Sequence, residues 1–138
     1  MATWYNAKVS FQKEDESGSL KTITENYLVD AVSYTEAEAR MADILTMADY
    51  LITLTRMKIE KVFGFQNTTD SYYRAKVLYI VWDEKSQKEK KTPYFFLVRE
   101  TTIKRAYDLL ISELGEVNDY EISDIGITPI LEVFHYNE

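Results

Sequence analysis

With 138 residues the chain has room for one sizeable core, and contents of 46% hydrophobic and 14% aromatic residues, with four glycines and two prolines, exclude disorder and low complexity. A formal net charge of −7 disfavours attraction to nucleic-acid phosphates or anionic lipid, and the absence of cysteine removes disulfides, thiolate catalysis and cysteine zinc sites together. No direct nucleic-acid or membrane binding is expected, and with neither a leader-like amino terminus nor an apolar run of spanning length the expected location is the cytoplasm.

The first strand is announced at once: Tyr5, Ala7, Val9 and Phe11 alternate with Asn6, Lys8, Ser10 and Gln12, the period of two that buries one face. The polar stretch from Lys13 to Ser19, with Gly18, fits a hairpin tip, and a second strand is predicted from about Leu20 to Ala31. Ser33-Tyr34-Thr35-Glu36 has capping-box spacing, in which the serine hydroxyl accepts a backbone N–H and the glutamate reaches back to the cap. Ala37, Met41, Ile44, Leu45 and Ala48 then recur at helical spacing. No glycine or proline stops this helix between Met47 and Thr55, and a third strand is predicted from about Met57 to Phe65, followed by a polar connector over 66–71.

The same order returns. Tyr72 to Trp82 reads as a strand, Asp83 to Lys91 as a charged tip, and Thr92 to Glu100 as a strand that Pro93 confines to an edge or a start. Thr102 caps a helix with an apolar stripe of Ile103, Ala106, Tyr107, Leu110, Ile111 and Leu114 that ends at Gly115. Tyr120 to Thr128 is a strand, and Pro129 separates it from Ile130–Phe134.

The two halves match residue by residue. Trp4-Tyr5-Asn6-Ala7-Lys8-Val9 returns as Tyr72-Tyr73-Arg74-Ala75-Lys76-Val77, Tyr27-Leu28-Val29 returns as Phe96-Leu97-Val98, and the helix from Ser33 returns as the one from Thr102, with a one-residue shift between blocks. Each half reads ββαβ. The expected fold is therefore α+β: one domain over 1–138 built by internal duplication, with repeats over about 3–66 and 71–134, an antiparallel sheet and two helices packed on one face. The outer face of the first strand is polar, whereas the second copy carries Leu78, Ile80 and Trp82 there. That face is expected to be covered, and the three residues are candidates for an interface.

Little in the sequence points to catalysis. His135, the one histidine, lies close to the carboxyl end and reads as a solvated tail residue. The glycines never approach the spacing of a phosphate-cradling loop, and no metal site or cofactor is expected. Asp119, Glu121 and Asp124 are carboxylates near the last long strand, but Asp124 does not share the face of the other two, so solvated charges are the reading. The tips carry opposite runs, Glu14-Asp15-Glu16 and Lys88 to Lys91, which suit edge protection and also pairing between copies or with a partner. Lys8 and Lys76 occupy equivalent positions beside Trp4 and Tyr72, a cation next to an aromatic platform in duplicate, which suits a planar anionic ligand such as a nucleotide.

The run from Tyr27 to Ala39, the two Tyr-x-Ala-Lys-Val strands and Asp83-Glu84-Lys85-Ser86 with Lys88 to Thr92 resemble an uncharacterised family of small proteins from gut Bacteroidetes and their phages, defined as a domain of unknown function. The resemblance spans nearly the whole chain. It implies no activity and no catalytic residue; it implies a phage or mobile-element protein acting inside a bacterium. The functional expectation is non-catalytic binding, through a protein partner or self-association. The alternatives are sequestration of a small anionic ligand by Trp4, Lys8, Tyr72 and Lys76, and, more weakly, acidic mimicry of nucleic acid.

Overall fold

The computed structural model describes residues 3–65, 71–117 and 119–135. Two helices and eight strands follow in the order β1 (Thr3–Glu14), β2 (Leu20–Ala31), α1 (Tyr34–Ile44), β3 (Leu51–Met57), β4 (Lys61–Phe63), β5 (Tyr72–Asp83), β6 (Lys88–Arg99), α2 (Ile103–Leu114), β7 (Tyr120–Ile127) and β8 (Ile130–Phe134). The fold is α+β and duplicated. Its strands form two four-stranded sheets, ordered β3-β1-β2-β8 and β4-β6-β5-β7. The chain divides into two compact units, Met1–Met57 with Pro129–Glu138, and Lys58–Thr128.

In the first unit β1 pairs antiparallel with β2 and with β3, so Tyr5, Ala7 and Val9 line up on one face. α1 lays Ala37 and Met41 on that face, and with Val29 and Ala31 these residues form the core. The helix starts where the capping spacing places it: Ser33 is extended and its Oγ accepts the Glu36 N–H at 3.1 Å. The Glu36 carboxylate reaches back to the Val32 N–H, one residue before the cap.

The second unit repeats this with its own residues. Tyr73, Ala75 and Val77 replace Tyr5, Ala7 and Val9, Val98 replaces Val29, and Ala106 and Leu110 replace Ala37 and Met41. Two cores that agree position by position are the physical content of the duplication. Trp4 pairs with Asp30 as Tyr72 pairs with Arg99, so the one-residue shift between sequence blocks is absorbed in the hairpin loops. Both loops open on an aspartate that braces the turn: Asp15 Oδ1 accepts the Ser17 and Ser19 N–H groups, and Asp83 Oδ1 accepts that of Lys85. α2 is capped by Thr102, whose Oγ1 accepts the Arg105 N–H at 3.1 Å, and closes on Gly115 at φ 70°, where glycine carries no Cβ penalty.

Three sequence expectations change. The third strand is Leu51–Met57, not a strand beginning near Met57, because Ile52 and Leu54 face inward opposite Val9 and Ala7 along β1 as a half-exposed edge. Each half adds a short fourth strand, so the repeat is ββαββ; Lys61-Val62-Phe63 and Glu132-Val133-Phe134 are its equivalent last members. These two strands are exchanged. β4, from the first repeat, pairs parallel with β6, and β8, from the second, pairs parallel with β2. Each sheet is thus antiparallel through three strands and parallel at one edge, with one helix of its own. Neither helix is long and apolar enough to cross a membrane.

Candidate functional site

The four residues expected to hold an anionic ligand fall on the faces of β1 and β5 opposite their helices. Lys8 is exposed, flanked by Asn26 and Thr53 on the neighbouring strands. Trp4 is half-buried and its ring meets that of His135 edge-on at 4.7 Å. Tyr72 has no exposed surface, and the Arg99 guanidinium lies over its ring at 5.3 Å. Lys76 is half-buried opposite Phe95 and Asp124. Trp4 and Lys8 belong to the first unit and Tyr72 and Lys76 to the second.

His135 is not a solvated tail residue. Docking of β8 onto β2 pins it half-buried, with Nδ1 3.7 Å from Asp30 Oδ2. The Arg40 guanidinium closes the group by bonding both the Asp30 carboxylate and its backbone carbonyl. Asp30 is the buried acid of this unit, and it is buried because it is paired.

Of the candidate interface residues, Ile80 and Trp82 sit on the projecting end of the β5–β6 hairpin, and Leu78 at its base opposite Glu121 of β7. β7 accompanies β5 only as far as Tyr79, so from Ile80 outward the hairpin is a two-stranded ribbon with little to cover it. Leu78 and Ile80 are half-buried, the Lys91–Glu121 ion pair at 3.0 Å drawing its ends from the strands on either side of them. Trp82 is 54% exposed and Val81 56%, so the expected cover is missing at the tip. At the equivalent positions the first copy has Ser10, Gln12, Lys13 and Glu14.

Two further features lay outside the sequence reading. On α2 the expected core stripe splits: Ala106 and Leu110 are inside, while Ile103, Tyr107 and Ile111, one turn apart, are 49%, 44% and 37% exposed. The first copy carries Tyr34, Glu38 and Ala42 there. At the carboxyl end of α2, β4 and the β5–β6 hairpin enclose a cleft of about 330 Å³ lined by Phe63, Tyr79, Tyr94, Glu60, Lys61 and Glu113 among others. Tyr79 meets Tyr94 edge-on at 5.1 Å and Tyr120 at 6.1 Å. Burial first, then Tyr120, Tyr94 and Glu60, push the Tyr79 phenol above its ordinary range. The first unit has a wider cleft, about 700 Å³, between the Met47–Leu51 segment and the outer parts of β1 and β2.

Of the three carboxylates near the last long strand, Glu121 pairs with Lys91, Asp124 stands opposite Lys76 and Asp119 gives its backbone carbonyl to the Ile80 N–H. Among the described residues no group of three or more histidines and carboxylates converges as a metal site. No curated protein and no solved structure matches the chain. A family model described as a domain of unknown function (DUF4494) matches residues 3–136, and the chain belongs to that family.

Proposed function

We propose that the protein acts by non-catalytic binding of a protein partner, through the surfaces where the second copy departs from the first. The observation that carries this reading is the apolar tip of the β5–β6 hairpin. Evolution from a common unit has left Ser10, Gln12, Lys13 and Glu14 in one copy and Leu78, Ile80, Val81 and Trp82 in the other, with Trp82 more than half exposed. An exposed tryptophan in an apolar setting raises the risk of aggregation and is the residue type most enriched at energetic centres of interfaces. The fold does not require it, because the first copy makes the same hairpin without it. The exposed stripe on α2, again present in one copy alone, supports the same reading.

The resemblance to proteins of gut Bacteroidetes and their phages supports a host factor in the bacterial cytoplasm as that partner. The test is affinity capture from such a host with the wild-type chain and with a Leu78→Ser, Ile80→Gln, Trp82→Glu variant, followed by reconstitution from purified components. A partner held by the wild type and lost by the variant supports the reading. Equal recovery by both chains, or substrate turnover by the purified protein in a broad screen, overturns it.

A second reading, capture of a nucleotide-like anion, rests on Lys8, exposed on the same face of β1 as Trp4. A nucleotide panel that raises the melting temperature of the wild type and not of Lys8→Met would favour it; no shift at roughly millimolar ligand would remove it.

A further inference from the structure

Three features of the cleft at the end of α2 ask for one kind of ligand. Its walls are aromatic, lined by Phe63, Phe96, Tyr79 and Tyr94, with Phe63 stacked on Phe96 at 5.4 Å, and aromatic rings carry quadrupoles whose faces are negative. The charged residues on it are two anions, Glu60 and Glu113, and one cation, Lys61. That cation already uses the wall: Lys61 Nζ lies 5.7 Å from the centroid of the Phe63 ring. The chain's own side chain thus shows what this surface accepts.

The scaffold does not explain these residues. Where the second unit has Tyr94, Glu60 and Glu113, the first unit has Glu25, Leu131 and Ile44 at the corresponding positions, beside the exchanged strand and at the same end of the helix. Phe63 and Tyr79 are matched there by Phe134 and Phe11, but both units fold, so Tyr94 and the two carboxylates are an addition to the architecture and not a condition of it. The geometry points to a binding site for an organic ammonium group, held by cation–π contact with Tyr79, Tyr94 and Phe63 and by the carboxylates of Glu60 and Glu113. Anionic ligands are disfavoured there by the same two carboxylates. The volume fits a head group of modest size. An adjoining cleft of about 290 Å³ shares Tyr79 and Tyr94 and adds Val81 and Thr92, which gives room for an apolar substituent or for the stem of a lysine side chain.

The ammonium has two sources, a free alkylammonium or a lysine of another polypeptide, and one titration addresses both. Tetramethylammonium chloride, and separately a short blocked peptide bearing trimethyl-lysine, are titrated against sodium chloride of equal ionic strength while the ring signals of labelled tyrosine are followed by NMR. The expected result is saturable shifts at Tyr79 and Tyr94 with an affinity on the order of 1 mM. Tighter binding of the peptide identifies a polypeptide source, and equal or weaker binding a free one. Glu60→Gln and Glu113→Gln, both exposed and safe for the fold, should each weaken binding about threefold to tenfold, and Lys61→Met, which removes the resident competitor, should tighten it. Shifts that stay linear and match those in sodium chloride, or saturable shifts indifferent to both glutamine variants, overturn the proposal.

Discussion

Replacing Arg40 by methionine should unfold the first unit at markedly lower denaturant. Its guanidinium bonds the Asp30 carboxylate, at 2.5 Å to Oδ1, and the Asp30 carbonyl, with side chains only 18% and 12% exposed. Removing one member of so buried a pair leaves an uncompensated carboxylate and costs about 3–5 kcal/mol. His135, 3.7 Å from the other oxygen, offers partial relief and places the expectation at the lower end, about 3 kcal/mol. Against a typical total stability of about 5–15 kcal/mol this is a large loss, and with a urea dependence of about 2 kcal/mol/M it moves the midpoint by roughly 1.5 M. Removing both partners, as Asp30→Leu with Arg40→Met, should restore most of the loss. The second unit builds the same architecture with Arg99 and Leu109 at these places, so the pair is replaceable. The assay is urea unfolding followed by fluorescence in a Trp82→Phe background, where Trp4 reports on the first unit alone. A single-variant loss below about 1 kcal/mol, or a double variant worse than the single, would refute the reasoning.

The two core tyrosines at equivalent positions should respond oppositely to loss of the hydroxyl. Tyr5 Oη is buried without a hydrogen bond among the described residues, whereas Tyr73 donates to the Thr101 carbonyl at 3.5 Å; Tyr5→Phe should gain about 1 kcal/mol and Tyr73→Phe should not, as read by thermal or urea unfolding. Gly115→Ala should lower stability by about 1 kcal/mol through its positive φ, and Thr102→Ala by a similar amount through loss of the cap. Tyr27 is held protonated by burial, by its hydrogen bond to Glu25 and by the charges of Glu25 and Glu132, which push its phenol from 10.0 up to about 12. The folded chain keeps this proton after the unfolded chain has lost it. Tyr27 therefore contributes fully below pH 10, and that contribution is lost as pH rises towards 12; ultraviolet titration should lose a late-ionising phenol in Tyr27→Phe, and its absence from the wild type would contradict the burial.

Local chemistry wrote much of the fold plainly. Alternation in β1 and β5, helix caps at Ser33 and Thr102 and the stop at Gly115 each act within a few residues, so each is legible from the chain. β3 was hidden because α1 ends at Leu45 without glycine or proline, and because an edge strand alternates weakly when its outer residues, Thr53 and Thr55, are themselves strand formers. The exchange of β4 and β8 depends on pairings between residues far apart in sequence, Lys61 with Phe96 and Glu132 with Tyr27, which no local pattern records. The same long-range pairing brings Glu60 to the end of α2, so the aromatic cleft could not be assembled from sequence. Trp82 was legible by comparing the copies. Ile103, Tyr107 and Ile111 were misplaced because helical spacing defines a stripe but not how much of its width a sheet will cover.

The central claim is that the second copy's hairpin tip binds another protein. Titration calorimetry of the partner captured by the wild type, against the wild type and against Trp82→Glu, tests it most directly. Trp82 is more than half exposed, so its loss should leave unfolding within about 0.5 kcal/mol while costing at least about 2 kcal/mol of binding, a thirtyfold or greater weakening. An unchanged dissociation constant in a folded variant would contradict the account.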